Sequence, residues 1–216
     1  MNSSTKNENK IVKFWDKTAL TYDKEEQKDR EIYQQIITNV KSHLKKSDVV
    51  LDFGCGTGTF SNTIAKLTKK VHAIDLSLKM IEIAKTKAKD QNITNIEYNH
   101  ATIFDDHLKA SSYDAIFGFY ILHLLDNPQK VLLKTNNLLK PNGIFISVTP
   151  CMGKRNIFSS VLSVISKLGI IPPFKFYQLD GLEFLLLDAQ FDILEKNKLE
   201  KTSNQYYIVA KKRTLL

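Results

Sequence analysis

A glycine-rich turn early in the chain has the composition of a ligand-binding loop. It reads DFGCGTG over residues 52–58, between the apolar segment DVVLDF and a segment whose apolar residues recur at helical spacing. Glycine allows a backbone to turn sharply and to approach a ligand without a clash from a Cβ atom. Because the N–H groups of a helix that follows such a turn favour an anion, the run is expected to face a ligand.

A carboxylate follows this turn at the sequence separation that is typical of a ribose-binding acid. Asp75 comes 21 residues after Gly54, at the end of the apolar segment KVHAID. In a strand–turn–helix–strand unit, an acid at that place accepts hydrogen bonds from the two hydroxyls of a ribose. A tight turn followed by an aspartate that only caps a helix is the plainer interpretation, but it leaves the glycines and the spacing unexplained. The sequence therefore predicts a nucleotide-type ligand.

Strand-like and helix-like segments alternate from Asp48 onward, which predicts an α/β fold. Apolar strand segments are expected near residues 48–53, 70–75, 96–100, 113–120 and 144–150. Apolar residues at three- to four-residue spacing predict helices near 57–67, after Ser77, and from Pro128 to about Leu139. A helix near 179–189 and a hairpin of FDILEK with QYYIVAKK follow. This order implies a Rossmann-like three-layer sandwich, with a mostly parallel seven-stranded sheet and a C-terminal antiparallel hairpin.

The whole chain, residues 1–216, is expected to form one domain around this sheet. A helical cap covers about residues 1–46, and its apolar stripe consists of Ile32, Ile36, Val40 and Leu44. Residues 47–150 are expected to form the ligand-binding core, and residues 178–216 to add the last helix and the hairpin. The sequence shows no internal repeat.

Residues 151–177 break the alternation just after the predicted fifth strand. Apolar residues recur near helical spacing from Ile157 to Leu168, and Gly169 with Pro172-Pro173 would end such a helix. A lid over an acceptor site is the expectation, because open α/β sheets bind ligands at the carboxyl ends of their strands. A core helix and a segment that contacts a membrane surface remain alternatives.

Composition and charge favour an ordinary globular domain. The 216 residues are 43% apolar and carry a formal net charge of +8. The lysines, such as Lys66, Lys85 and Lys87, are scattered over predicted helices and are expected on solvated faces rather than on a nucleic-acid surface. Two cysteines are too few for a disulfide framework or a four-thiolate metal site. The first ten residues are polar and no apolar run exceeds 11 residues, so the chain is expected to be cytoplasmic.

The glycine loop departs from the dinucleotide fingerprint, because Thr59 stands where that fingerprint has its third glycine. The form D-x-G-x-G-x-G instead resembles motif I of the class I S-adenosylmethionine-dependent methyltransferases. Further segments resemble later motifs of that family in the correct order: VHAIDLSLKMIEIAK, YDAIFGFYILHLL, LLKPNGIFIS, and AQFDILE followed by QYYIVAKK. The segment WDKTALTYD resembles the N-terminal cap of ubiquinone-methylase-like members.

The resemblance implies a site for S-adenosylmethionine, with S-adenosylhomocysteine as the product. Gly54, Gly56 and Gly58 would shape the pocket for the methionyl part, and Asp52 would anchor its amino group. Asp75 would bind the ribose, with Leu76 and Met80 beside the adenine. The other implied cofactor-lining residues are Cys55, His100, Ala101, Thr102, Phe119 and Tyr22. His100 stands where the family often has an acid, and Asp105 is a displaced alternative.

The resemblance implies methyl transfer, for which a general base is optional. The sulfonium already activates its methyl group, so the protein has to align a nucleophile for in-line attack. Tyr120 and His123, at the end of the predicted fourth strand, are the candidate catalytic residues. Asp105 and Asp106 have no matching cluster of histidines and acids, so no metal is expected. A small, apolar or amphipathic acceptor is favoured, and a tRNA or protein methyltransferase and a non-catalytic cofactor-binding module remain alternatives.

We predict that the chain binds S-adenosylmethionine and not NADH. The side chain of Thr59 should hinder the close packing that a third glycine permits in dinucleotide-binding loops. Fluorescence titration with NADH should therefore give no saturable signal, whereas calorimetry should detect S-adenosylmethionine. Micromolar binding of NADH without binding of S-adenosylmethionine would contradict the prediction.

Overall fold

The computed structural model describes residues 3–26, 29–151, 171, 173–200 and 204–214. In these residues the helices are α1 Ser3–Glu26, α2 Arg30–His43, α3 Thr59–Ala65, α4 Leu78–Asp90, α5 Pro128–Leu138 and α6 Leu179–Asp188. The strands are β1 Val49–Phe53, β2 Lys70–Asp75, β3 Ile96–His100, β4 Tyr113–Phe119, β5 Leu139–Pro150, β6 Phe191–Leu199 and β7 Gln205–Lys212. A single 3-10 turn, Leu122–Leu124, follows β4.

The seven strands form one sheet in the order β3-β2-β1-β4-β5-β7-β6. The first five strands are parallel, whereas β7 runs antiparallel to both β5 and β6. The predicted fold class is therefore confirmed, including the C-terminal hairpin. The strand order reverses between β1 and β4, and ligands of open α/β sheets bind at this kind of switch point.

Helices cover both faces of the sheet and bury two apolar clusters. On one face, residues of α2, α3 and α4 pack against the sheet around Ile36, Ile64 and Ile81. On the other face, α5 and α6 bury Leu132 and Leu186 against Phe145 and its neighbours. This arrangement is the three-layer sandwich that the alternating sequence pattern predicts.

Local sequence signals set several element ends. Ser77 caps α4, because its hydroxyl accepts a hydrogen bond from the N–H of Met80 at 3.2 Å. Asn127 caps α5 in the same way, and Pro128 occupies the first turn of that helix. Asn142 adopts a φ of 64°, the left-handed conformation expected for the turn before the apolar part of β5.

Helix α3 and strand β5 begin at other residues than the sequence predicts, and β6 continues to Leu199 beyond the predicted FDILEK. Helix α3 begins at Thr59 rather than near residue 57, because Gly58 holds a left-handed conformation at its N-cap. Strand β5 begins at Leu139 rather than at Ile144, because Leu139 already pairs with Tyr113 before the turn. The register between β4 and β5 shifts between Tyr113 and Ala115. This shift accommodates the turn at residues 141–143 without ending the pairing of the two strands.

The N-terminal helices belong to the same folded unit as the sheet. The predicted stripe of α2 is buried, and Ile36 has no exposed surface. It lies in one apolar cluster with Tyr207 and Val209 of β7, so α2 contacts the C-terminal end of the chain. Helix α1 packs on α4.

Most of the segment predicted to form a lid, residues 152–170 and 172, lies outside the described residues. The described part shows Tyr177 only 8% exposed, with its hydroxyl 3.5 Å from the carbonyl oxygen of Leu122. The lid remains a prediction. Among the described helices, none combines the length and the apolarity needed to cross a membrane.

We predict that Ile36→Ala lowers the free energy of unfolding by about 2–5 kcal/mol. The reason is that truncation of a fully buried isoleucine loses transfer energy and leaves a cavity. Leu133→Ala is the control, because Leu133 is 48% exposed and its truncation should change stability by no more than about 0.5 kcal/mol. Urea unfolding of both variants measures the difference, and equal effects would show that α2 is not part of the core.

Candidate functional site

The carboxyl ends of β1, β2 and β4 meet at one edge of the sheet. Strand β1 pairs with β2 on one side and with β4 on the other. This pairing brings together the loop 54–58 after β1, Asp75 at the end of β2, and Phe119 at the end of β4. The predicted cofactor residues thus lie at the switch point of the sheet, where ligands bind in this fold class.

The glycine loop cannot carry side chains at its critical positions. Gly54, Gly56 and Gly58 have φ values of 70°, 53° and 79°, which L-residues with side chains rarely adopt. A Cβ atom on Gly58 would overlap the hydroxyl of Tyr98, which is itself fixed by a 2.9 Å hydrogen bond to Asn62. The backbone of the loop therefore packs closely against neighbouring side chains, as the spacing of its glycines predicts.

Asp75 joins the loop to the start of α4. Its Oδ2 atom accepts a hydrogen bond from the N–H of Gly56 at 3.0 Å, and its Oδ1 atom accepts one from the N–H of Ser77 at 2.8 Å. Burial raises the pKa of Asp75, and these two N–H groups partly oppose that rise. Each carboxylate oxygen can accept a further hydrogen bond, so the group can still receive ribose hydroxyls.

Asp52 is buried beside the glycine loop, and Cys55 within the loop is partly buried. Asp52 is 2% exposed, and its carboxylate accepts a hydrogen bond from the hydroxyl of Ser61 in α3. Burial, together with the nearby carboxylates of Asp52 and Asp75, raises the pKa of Cys55. Because only a thiolate is a strong nucleophile, Cys55 is packed rather than reactive, as its place within the loop suggests.

The residues implied for the adenine side gather around the end of β2. The Nε2–H of His100 donates to the carbonyl oxygen of Leu76 at 2.9 Å, and the N–H of Ala101 donates to the carbonyl oxygen of Asp75 at 3.1 Å. The side chain of Leu76 is 42% exposed, which leaves apolar surface for a ring. Met80 is only 2% exposed and lies on the buried face of α4.

The loop after β3 is organised by its own side chains. The hydroxyl of Thr102 accepts from the N–H of Phe104 at 3.1 Å. Asp105 accepts from the N–H of His107 at 2.9 Å and lies 2.7 Å from its Nδ1 atom, and these contacts lower the pKa of Asp105. Within the described ranges, no three His, Cys, Asp or Glu side chains are close enough to hold a metal ion.

Helix α1 covers the glycine loop with an aromatic ring. A Cβ atom built on Gly56 would lie 3.7 Å from Cε1 of Tyr22. The ring of Trp15 meets that of Tyr22 edge to face, with the ring centres 6.1 Å apart. Asp16 of the same helix accepts a hydrogen bond from the hydroxyl of Ser77 at 2.6 Å, so α1 is joined directly to the N-cap of α4.

A second polar contact of α1 was missed by the sequence analysis. Asp23 accepts hydrogen bonds from the Nζ atom of Lys87 at 3.0 and 3.1 Å and from the hydroxyl of Thr57. Lys87 also donates to the hydroxyl of Thr59 at 2.9 Å. The expectation of a solvated Lys87 was therefore wrong. Its position three residues after Ala84, beside the buried stripe of α4, was the available signal.

The end of β4 carries an unusual backbone conformation. Tyr120 has a φ of 54°, which is uncommon for a bulky residue and typical of constrained functional positions. Its N–H donates to the carbonyl oxygen of Val148 at 2.8 Å, and its hydroxyl donates to Oε1 of Gln205 at 2.6 Å. Phe119 is buried, with its ring centre 4.8 Å from that of Phe60.

His123 lies in the 3-10 turn after β4 and is neutral at physiological pH. Its Nδ1 atom is buried and forms no hydrogen bond with the residues that the structure describes. Burial lowers the pKa of His123 from 6.5 to about 4. A base with so low a pKa is poorly matched to proton abstraction near pH 7.

A cavity of about 760 Å³ opens beside these elements. Its aromatic wall consists of Tyr22, Tyr33, Phe60 and Tyr120. Its charged residues are Asp23, Asp29, Arg30 and Lys87. The cavity thus extends from the start of α3 to the end of β4 and is covered by residues of α1 and α2.

The family model described as a methyltransferase domain matches residues 44–164, which is more than half of the chain. The chain belongs to this family. The resemblance to class I S-adenosylmethionine-dependent methyltransferases is therefore confirmed, and so is the assignment of S-adenosylmethionine as the cofactor. The matched region contains the glycine loop, Asp75 and the end of β4.

Relatives of this methyltransferase domain include proteins with and without an assigned reaction. An uncharacterized protein of Methanocaldococcus jannaschii is 33% identical over 63% of this chain and 50% of its own length. The ubiquinone biosynthesis O-methyltransferase of Rickettsia akari is 29% identical over 76% of this chain and 66% of its own length. The chain therefore spans about half to two thirds of these relatives.

A solved structure shares the fold of the methyltransferase domain over almost its full length. It is a chain from the complex between the Haloferax volcanii Trm112 methyltransferase activator and a methyltransferase. The TM-score is 0.78, with 14% identity, and the match covers 93% of this chain and 98% of that chain.

The residues present fit S-adenosylmethionine. The space over Gly56, which a side chain would occupy, faces the ring of Tyr22, and this ring can attract a sulfonium charge. Asp75 is held by two N–H groups in an orientation that leaves acceptor capacity for a ribose. Exposed Leu76 beside His100 provides an apolar surface for the adenine. The contacts of individual residues with the cofactor remain predictions.

We predict that Asp75→Ala weakens the binding of S-adenosylmethionine about ten- to hundredfold. It removes charge-assisted hydrogen bonds worth about 1.5–3 kcal/mol. Asp192→Ala is the control, because Asp192 pairs with Arg213 at 2.8 Å in the C-terminal part of the chain and its replacement should leave the dissociation constant within about twofold. Calorimetry checks both variants, and an unchanged dissociation constant for Asp75→Ala would contradict the ribose-binding role.

We predict that His123 contributes to acid destabilisation. Its folded-state pKa lies below its ordinary value of 6.5, so the unfolded chain takes up the proton first and stability falls as the pH drops from about 6.5 towards 4. The loss attributable to His123 should reach about 2 kcal/mol at pH 5. Urea unfolding at pH 8 and pH 5 should show a smaller difference for His123→Gln than for the wild type. His107→Gln, at an exposed site, should leave the difference unchanged.

Proposed function

We propose that the chain transfers a methyl group from S-adenosylmethionine to a small apolar or amphipathic acceptor. The observation that carries this proposal is the cavity of about 760 Å³ at the end of β4. Pockets for small molecules have volumes of about 300–1,000 Å³ and apolar, often aromatic walls. The aromatic wall and the few charged residues of this cavity match that description.

The position of the cavity supports its use for the acceptor. Thr59 and Phe60 line it directly after the glycine loop, and Tyr120 lines it at the end of β4. An acceptor in the cavity would therefore lie next to the cofactor loop, and α1 and α2 would shield it from water. Such shielding and alignment are the main tasks of a protein in this reaction.

The bound cofactor supplies the activated methyl group, and the chain's own residues position the nucleophile. Tyr120 is the stronger candidate for this role, because it lines the cavity and its hydroxyl is held by Gln205. His123 is not among the described residues that line the cavity, and its low pKa makes it a weak base. We propose that alignment, rather than proton abstraction by His123, accounts for the rate.

The name of one relative supports a small acceptor, whereas the net charge of the chain supports a macromolecular acceptor. The ubiquinone biosynthesis O-methyltransferase of Rickettsia akari acts, by its name, in the synthesis of a small molecule. The net charge of +8 is the observation in favour of a nucleic acid or protein acceptor. A module that binds S-adenosylmethionine without turnover is the remaining alternative.

We predict that radiolabel from [methyl-³H]S-adenosylmethionine enters the small-molecule fraction of a cell extract. The reason is that the cavity matches the size of a small ligand rather than of an RNA or a folded protein. Label in the RNA or protein fraction would contradict the proposed acceptor class. Binding of the cofactor without any label transfer would favour the non-catalytic module.

Three variants extend this assay. Asp75→Ala should lose labelling through weak cofactor binding. Tyr120→Ala should lower labelling at least tenfold while the dissociation constant of S-adenosylhomocysteine stays within about twofold, because it removes acceptor-side surface. Tyr120→Phe keeps the ring and should retain most of the labelling.

A further inference from the structure

Helix α2 presents two polar side chains to the cavity. Arg30 and Gln34 are four residues apart, so they share one face of the helix, and both line the cavity. Both side chains are exposed, and they therefore lie where the cavity opens to solvent. Tyr33 and Phe60 line the same cavity, and their ring centres are 5.0 Å apart.

The charges around the cavity are not equally engaged. Lys87 is paired with Asp23 at 3.0 Å. In the described part of the chain, no carboxylate forms an ion pair or hydrogen bond with Arg30, even though Asp29 precedes it and also lines the cavity. No described carboxylate therefore competes with a ligand for the guanidinium of Arg30, whereas the charge of Lys87 is compensated by Asp23.

A guanidinium and an amide together suit a carboxylate. Two parallel N–H groups of arginine match the two oxygens of a carboxylate, and the amide of glutamine can donate one more hydrogen bond. The single charge of Arg30 also equals the single charge of a carboxylate. Such a group would be held at the mouth of the cavity, while the aromatic residues would bury the apolar part of the same molecule.

We propose that Arg30 and Gln34 bind a carboxylate of the methyl acceptor. This inference rests on the proposed function and specifies the substrate class as an amphipathic carboxylic acid. The methionyl carboxylate of the cofactor is the other possible source of this group. The described lining residues come from α1, α2, the start of α3, Lys87 and Tyr120 rather than from the loop glycines, which favours the acceptor.

The test uses a matched pair of probes with the whole chain saturated with S-adenosylhomocysteine. The probes are 2-naphthoate and the neutral 2-naphthamide, which have the same ring system and differ in charge. Calorimetry should show that Arg30→Gln weakens 2-naphthoate about ten- to hundredfold and changes 2-naphthamide by less than twofold. The affinity of Arg30→Lys for 2-naphthoate should lie between those of the wild type and Arg30→Gln, because lysine keeps the charge but lacks two parallel N–H groups.

Arg213→Gln is the matched control. Arg213 pairs with Asp192 in β6 and does not line the cavity, so its replacement should leave both probes unchanged. Circular dichroism confirms that each variant is folded before titration.

The remaining outcomes separate the two sources of the carboxylate. If Arg30→Gln weakens S-adenosylhomocysteine tenfold but not 5′-methylthioadenosine, which lacks the methionyl carboxylate, Arg30 serves the cofactor and the acceptor assignment is overturned. Absence of 2-naphthoate binding to the wild type, or equal binding to the wild type and Arg30→Gln, also overturns it. Failure of the wild type to bind S-adenosylhomocysteine would instead refute the proposed function.

Discussion

The site depends on close packing against the loop between β1 and α3, where neighbouring side chains leave no room for a Cβ atom on Gly54 or Gly58. Gly58 lies against the hydroxyl of Tyr98, and a Cβ atom on Gly54 would meet Ile121 at 2.9 Å. Because both neighbours are buried or tied to β4, the loop can keep its course only with glycine. That course brings the N–H of Gly56 to Asp75 and so fixes the carboxylate that is proposed to bind the ribose.

The N-terminal helices connect the glycine loop to the cavity that is proposed to bind the acceptor. Asp16 joins α1 to the N-cap of α4 through Ser77. Asp23 joins α1 to the glycine loop through Thr57 and to α4 through Lys87. Helix α2 is anchored independently, because its stripe is buried in the apolar core and the helix contacts β6. The described walls of the cavity are therefore set by the core and by charged contacts.

The sequence predicted the sheet well, and it predicted that the glycine loop and Asp75 lie together at the switch point, because these features follow from local patterns. Alternating apolar segments, the capping residues Ser77 and Asn127, and the glycine spacing are each readable without tertiary contacts. The contact of Lys87 with Asp23 joins residues 64 positions apart, and the cavity joins residues of four helices with Tyr120 after β4. Such long-range pairings leave only faint traces in the sequence, and the early start of β5 at Leu139 depends in the same way on a distant partner, Tyr113.

Hydrogen exchange with and without S-adenosylhomocysteine tests the central claim most directly, namely that the loop, Asp75 and α1 form one cofactor site. The account predicts that ligand binding slows amide exchange in residues 53–59, 75–80 and 14–23 together, because the ligand lies between them. The paired strands β6 and β7 should not change. Protection elsewhere without protection of the glycine loop would contradict the account.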